Sequence, residues 1–271
     1  VKSRTRVATA LAATLLATGL ALSGCSASGT PTSTPTPKPT ATTDSETGSL
    51  TVYAAASLTA TFTTLGNNFM KQHPGVKVNF DFNGSSTLVT QMQQGAPADV
   101  FASADQPNMQ KAQANGNIDG TPITFATNTL EIAVPPGNPA NIKTFADLAK
   151  PGVKVVVCAV GVPCGTAAQT IEQKTGITIT PVSQAQAVTD VLAQVASGQA
   201  DAGLVYVSDV ATAAGKVEGV TFPESKDAVN AYPIAKVKGS KEPKIAQQFI
   251  DLVTSKDGQK VLAAAKFGPA K

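Results

Sequence analysis

Four short stretches set small or hydroxyl-bearing residues where a helix is expected to begin: Ala54-Ala55-Ala56-Ser57-Leu58, Gly84-Ser85-Ser86-Thr87-Leu88, Gly161-Val162-Pro163-Cys164-Gly165-Thr166 and Ala187-Val188. The first turn of a helix carries backbone N–H groups without partners and a partial positive charge. An anion finds donors there without any Lys or Arg, and small residues let it approach the main chain. Ser57 is expected to cap its helix. Ser85 can offer its hydroxyl to a ligand while Ser86 caps. A Ser ahead of a helix is ordinarily no more than an N-cap, so each stretch alone is weak. Tyr206, in Leu204-Val205-Tyr206-Val207-Ser208-Asp209, ends an apolar run and is either a core aromatic or a further donor. Asp105 and Asp209 read as caps or interlobe contacts, and Asp99 as an anchor for the loop after its strand.

Other chemistries fit less well. A serine hydrolase built on Ser57 or Ser85 wants a base, yet the sole His is His73, beside Pro74. That His also argues against a His-rich metal site, and the chain is not read as an enzyme. No Arg lies in residues 50–271, where a receptor for α-carboxylates would need one. The chain has 21 Lys and Arg against 18 Asp and Glu. Lys2, Arg4 and Arg6 account for the excess, so residues 25–271 are neutral overall and hold no basic field for nucleic acid.

The chemistry needs a scaffold, and the apolar pattern supplies one. Leu50–Ala54 reads as a buried strand. Leu58, Phe62, Leu65 and Phe69 follow at helical spacing up to His73-Pro74-Gly75. Val76, Val78, Phe80 and Phe82 alternate as a strand, a second helix runs from Ser85 to Gln94, and Asp99–Ala102 is a third strand. This β-α-β-α-β order predicts a parallel sheet covered by helices. The pattern restarts with strands at Leu130–Val134, Val153–Val157 and Ala202–Tyr206. Helices are expected at Phe145–Leu148, after Gly165 and over Gln186–Ala196. A strand at Ala231–Val237 and helices at Lys244–Thr254 and Lys256–Ala265 close the chain. The reading is two α/β lobes joined by two crossing strands, with a single larger sheet as the alternative. Lobe 1 takes residues 50–127 and 232–271, and lobe 2 takes 128–231.

The start of the chain reads as a leader. Its basic n-region precedes sixteen uncharged residues, Val7–Leu22, and then Leu22-Ser23-Gly24-Cys25. A secretory signal has this order. The small-small-Cys ending resembles the lipobox of bacterial lipoproteins, which implies removal of residues 1–24 and lipidation of Cys25. Residues 26–49 contain 17 Ser, Thr or Pro out of 24 and suit an extended tether. Lipidated Cys25 and that tether, residues 25–49, would hold the domain at the outer face of the cell membrane. For an exported protein a disulfide between Cys158 and Cys164 is the default, with two free thiols as the alternative; the spacing is not that of a Cys-x-x-Cys redox pair.

Two further motifs accompany the helix starts: Gly95-Ala96-Pro97-Ala98-Asp99 with Ser103-Ala104-Asp105, and Val205-Tyr206-Val207-Ser208-Asp209. In this order and spacing, residues 50–271 resemble the molybdate-binding proteins of ABC transporters. The resemblance implies a type II periplasmic-binding-protein fold, no cofactor beyond the ligand, and a monomer that delivers molybdate or tungstate to a membrane permease. It also implies an oxyanion held between the lobes by neutral donors: Ser57 and Ser85 through hydroxyl and N–H, Cys164 and Val188 through N–H, and the Tyr206 hydroxyl. No metal is expected except within the oxyanion. Cys164 stands where the family usually has Ala, a change that a backbone donor tolerates. Sulfate, thiosulfate or phosphate is the alternative ligand. Molybdate and sulfate only accept hydrogen bonds near neutral pH. Phosphate keeps a proton and favours a receptor with a carboxylate, and Asp190 lies near enough in sequence to keep that branch open.

Overall fold

The computed structural model describes residues 46–270. The leader, Cys25 and nearly all of the tether lie outside them. The fold is two five-stranded mixed sheets with helices against their faces, so the single-sheet alternative is excluded.

The first sheet, in lobe 1, contains β1 (Thr47–Ala55), β2 (Gly75–Asn83), β3 (Val100–Ala102), β4 (Ile118–Asn128) and β10 (Asn230–Val237). Its order is β2-β1-β3-β10-β4. The first three strands are parallel, and β10 runs antiparallel to β3 and β4. β1 begins at Thr47, three residues before the expected start. Strand alternation divides the lobe's core. Val52, Ala54, Val100 and Ala102 face one way, towards α1 (Thr59–Gln72), α7 (Pro243–Thr254) and α8 (Lys256–Ala264). Tyr53 and Phe101 face the other way, towards α2 (Ser85–Gln93) and α3 (Gln106–Ala114). Gly66 lets α1 settle onto β2, since a side chain there would strike the Phe80 ring.

The second sheet, in lobe 2, contains β5 (Leu130–Val134), β6 (Val155–Cys158), β7 (Ser183–Ala185), β8 (Ala202–Tyr206) and β9 (Glu218–Val220), in the order β7-β6-β8-β5-β9. Here β6, β7 and β8 are parallel, and β5 is antiparallel to β8 and β9. α4 (Pro163–Thr175), α5 (Val188–Ala196) and α6 (Val207–Thr212) cover it. Pro163 occupies the first position of α4, where its missing N–H costs nothing, and Gly176 ends that helix at φ 70°. The chain crosses between lobes from β4 to β5 and returns into β10. The crossings are neighbours, because Asn128 and Asn230 pair across the β4–β10 ladder.

Several elements differ from the sequence reading. α3, β4, β7, α6 and β9 were not anticipated. α4 starts two residues ahead of Gly165, and Phe145–Ala149 is a 3-10 turn. Asp99 precedes β3 rather than following a strand. Its carboxylate accepts from Thr51 N–H (2.8 Å) and Ser240 Oγ (2.6 Å), tying the entrance of β3 to β1 and to the turn after β10.

Candidate functional site

Ser57, Ser85, Cys164, Val188 and Tyr206 all line one small cavity between the lobes, together with Ala55, Ala56, Gly84, Ala104, Val162 and Pro163. Its cavity volume is about 10 Å³, room for roughly one water-sized group and far below the roughly 300–1,000 Å³ of pockets for organic ligands. Every lining residue is neutral. Asp190 is not among them, although it lies in the first turn of α5.

Each wall of the cavity is a chain turn into a helix. Ser57 sits in a 3-10 turn, Ala56–Leu58, between β1 and α1. Ser85 and Val188 are the first residues of α2 and α5, and Cys164 is the second of α4. N–H groups at such positions have no acceptor within their own helix. Gly84 allows the walls to meet, since a Cβ there would collide with the Gln186 carbonyl across the cleft. Gly165 does the same within lobe 2, packing the start of α4 against the Cys158 and Ala159 carbonyls. The loop between those elements is closed by the Cys158–Cys164 disulfide, whose two residues are both buried.

The serine hydroxyls are not caps, and two expectations are corrected here. α1 has Leu58 and α2 has Gly84 at the N-cap, neither with a side-chain cap bond, so Ser86 caps nothing. Ser57 Oγ instead lies 2.9 Å from Tyr232 Oη. Ser85 Oγ accepts from Ala104 N–H at 3.0 Å. When Tyr232 donates to Ser57, both serines accept one internal bond and keep a hydrogen to give. Tyr206 Oη is buried and makes no hydrogen bond of good geometry among the described residues; the Tyr232 phenol is near enough to couple to it, and its ring meets the Tyr206 ring edge-on at 5.9 Å between centroids.

Burial sets the protonation states. It drives the Tyr206 phenol well above its ordinary range, and the Tyr232 phenol and the Asp105 and Asp209 carboxylates push the same way. The hydroxyl is therefore a neutral donor at any physiological pH. Burial pushes Asp209 up to about 7, against the opposing hydrogen bond from Tyr206 N–H (2.9 Å). Asp105 is also raised by burial, although Asn108 and Ser103 bond it. Both acids serve as caps, Asp105 at α3 and Asp209 at α6.

Tyr232 is the site residue that the sequence reading missed. It stands 175 residues from Ser57 in the chain, on the strand returning to lobe 1. The available signal was that the chain has only three Tyr, one of them at the start of the strand expected over Ala231–Val237.

The arrangement can coordinate a species that accepts hydrogen bonds on all sides and offers none. Residues 50–268 match the family of bacterial extracellular solute-binding proteins. The molybdate-binding protein ModA of Mycobacterium tuberculosis is 51% identical over 219 residues, 81% of this chain and 84% of that protein. ModA of Escherichia coli is 36% identical over 205 residues, 72% of this chain and 79% of that one. The periplasmic molybdate-binding protein of Azotobacter vinelandii shares the fold with a TM-score of 0.72 at 24% identity, over 82% of this chain and 100% of that one. Similarity of this extent, on a fold of two α/β lobes, makes the chain a member of the bacterial extracellular solute-binding proteins and, within them, of the molybdate-binding protein family.

Proposed function

We propose that this chain captures molybdate, and its congener tungstate, in the interlobe cavity and presents it to an ABC permease. The observation that carries the reading is the donor set: two serine hydroxyls primed by internal bonds, an unpartnered buried phenol and free N–H groups at three helix starts, around a cavity lined by no charged side chain. Ser57, Ser85, Cys164, Val188 and Tyr206 are the proposed ligand contacts. A hydrogen bond to a charged group contributes about 1.5–3 kcal/mol net. Several together reach the roughly 8–12 kcal/mol of micromolar to nanomolar binding. The neutral lining disfavours hydrogen phosphate, whose proton would find no carboxylate.

Closure about the paired crossings at Asn128 and Asn230 would exclude water and create the form that the permease recognises. Under this reading the chain acts without catalysis: His73 faces Glu46 and stacks on Phe69 rather than meeting either serine. We further propose that lipidated Cys25 holds a monomer at the outer face of the cell membrane. Labelling with a radioactive fatty acid, lost in Cys25→Ala, tests the anchor.

A thermal-shift panel of oxyanions followed by calorimetry tests the ligand. Molybdate and tungstate are expected to raise Tm, while sulfate, thiosulfate and phosphate do little. Ser57→Ala and Ser85→Ala are each expected to weaken molybdate binding roughly 10- to 100-fold. Stabilisation by sulfate alone would move the assignment to that anion, and full affinity in both variants would remove the site.

A further inference from the structure

Away from the strand crossings, one hydrogen bond joins the two lobes among the described residues: Asn108 Nδ2 donates to the Gly161 carbonyl at 3.2 Å. Asn108 lies in the first turn of α3 in lobe 1, and Gly161 in the loop leading to α4 in lobe 2. The amide is held for the task. Its Nδ2 also donates to Asp105 Oδ1 and Oδ2 at 2.9 and 3.0 Å, and its main-chain N–H donates to Oδ1 at 3.0 Å. Ser103 Oγ adds a fourth bond to that carboxylate at 3.3 Å. Both Asn108 and Asp105 are 5% exposed. Their bonds fix the amide plane, so little side-chain entropy remains to be lost when Asn108 reaches across.

The acceptor is equally constrained. Gly161 sits at φ 88°, in the left-handed region that favours glycine. It lies inside the short loop closed by the Cys158–Cys164 disulfide. Three residues on is Cys164, which lines the cavity from lobe 2. A group of lobe 1 thus grips the very loop that brings a lobe 2 donor to the ligand.

We propose that Asn108 is a closure latch: a positioning residue that touches no ligand atom and sets affinity by holding the lobes together. The proposal rests on the oxyanion reading above. A contact made only when the lobes are apposed adds to the closed population, and apparent affinity scales with that population. The latch acts after encounter, so it slows release more than it speeds capture. Asp105 is the group that aims it.

The test compares Asn108→Ala and Asn108→Ser with wild type. Molybdate affinity is measured by calorimetry, release by competition with tungstate, and compaction on molybdate addition by small-angle X-ray scattering. Gln113→Ala, exposed on the same helix, is the control. Serine keeps a donor for Asp105 but is too short to reach Gly161, so it rescues a merely structural role and not the latch. Both variants are expected to melt cooperatively, to bind molybdate about 3- to 10-fold more weakly, the factor that one neutral hydrogen bond supplies, and to release it correspondingly faster, with Gln113→Ala unchanged. Wild-type affinity in Asn108→Ser overturns the latch alone. Loss of cooperative melting in both variants overturns it too, assigning the amide to the folding of α3. A wild type that shows neither heat nor compaction with molybdate overturns the ligand reading and the latch with it.

Discussion

Lobe 1 and lobe 2 hold five-stranded sheets with the same pattern of strand directions, yet they are filled and armed differently. The core of lobe 1 is aromatic: Phe62, Phe69, Phe125, Phe249, Phe267 and Tyr232 pack together, and Phe249 meets Phe62 and Phe69 edge-on at 5.9 and 5.6 Å. Lobe 2 is built mainly of Val, Ile, Leu and Ala, with Phe145 stacked on Phe222 at 5.4 Å. The donors divide along the same line. Lobe 1 offers serine hydroxyls already oriented by internal hydrogen bonds. Lobe 2 offers one main-chain N–H at the disulfide-closed loop, another at the start of α5, and a phenol with no well-formed bond of its own. One half is set in advance by packing and side-chain bonds, the other by a covalent link, leaving one group unsatisfied until a ligand arrives.

Phe249→Ala breaks the comparison most severely. A buried Phe truncated to Ala costs about 3–5 kcal/mol, and Phe249 touches several other rings. Urea unfolding should show that loss, and a biphasic curve would identify lobe 1 as the half that opens first.

Tyr206→Phe sharpens the contrast between satisfied and unsatisfied donors. An unpaired buried hydroxyl carries a desolvation cost of about 1–3 kcal/mol. The variant should melt at or above the wild-type temperature without ligand, yet bind molybdate roughly 10-fold more weakly by calorimetry. A lower melting temperature in the ligand-free state would mean that the phenol is already paired.

Replacing both Cys158 and Cys164 with Ser separates covalent from packed preorganisation. A loop this short contributes about 2 kcal/mol in the chain-entropy account, so Tm should fall by roughly 4–8 °C for a domain of this size. Because the Cys164 contact is a main-chain N–H, affinity should fall only a few-fold. A collapse of binding would show that the loop is ordered only by its bond.

A pH-dependent effect concerns Asp209. Its carboxyl titrates at an ordinary 3.8 when unfolded and at about 7 when folded. Between those values the folded state holds a proton that the unfolded state has given up. Stability is therefore fully present below 3.8 and is lost as pH rises through 7. Asp209→Asn should flatten the wild-type slope of Tm across that window. Parallel slopes would remove Asp209 as the source.

Much of this was legible in the sequence because the relevant signals are local. Small residues before an apolar helical run mark Ser57, Ser85, Cys164 and Val188, and the apolar strand Ala202–Tyr206 ends on its phenol. What the serines do with their oxygens was not legible: a Ser at a helix start can cap or turn inward, and their partners Tyr232 and Ala104 are remote in the chain. The α3–β4 segment was missed for a related reason. Asp119-Gly120 is a pair that favours turns, yet β4 passes through it and stays in register with β10 only through two irregularities. β7 and β9 have three residues each, too few to show a period.

A cavity walled by dipoles has a consequence for where such a receptor can work. Charges attract over a Debye length that shrinks from about 30 Å in dilute water to about 3 Å in molar brine. Amide and hydroxyl donors in contact with an enclosed ion lose little to that shielding. Uptake built on them would be nearly indifferent to salinity, at the expense of the faster encounter that a field of lysines and arginines would give.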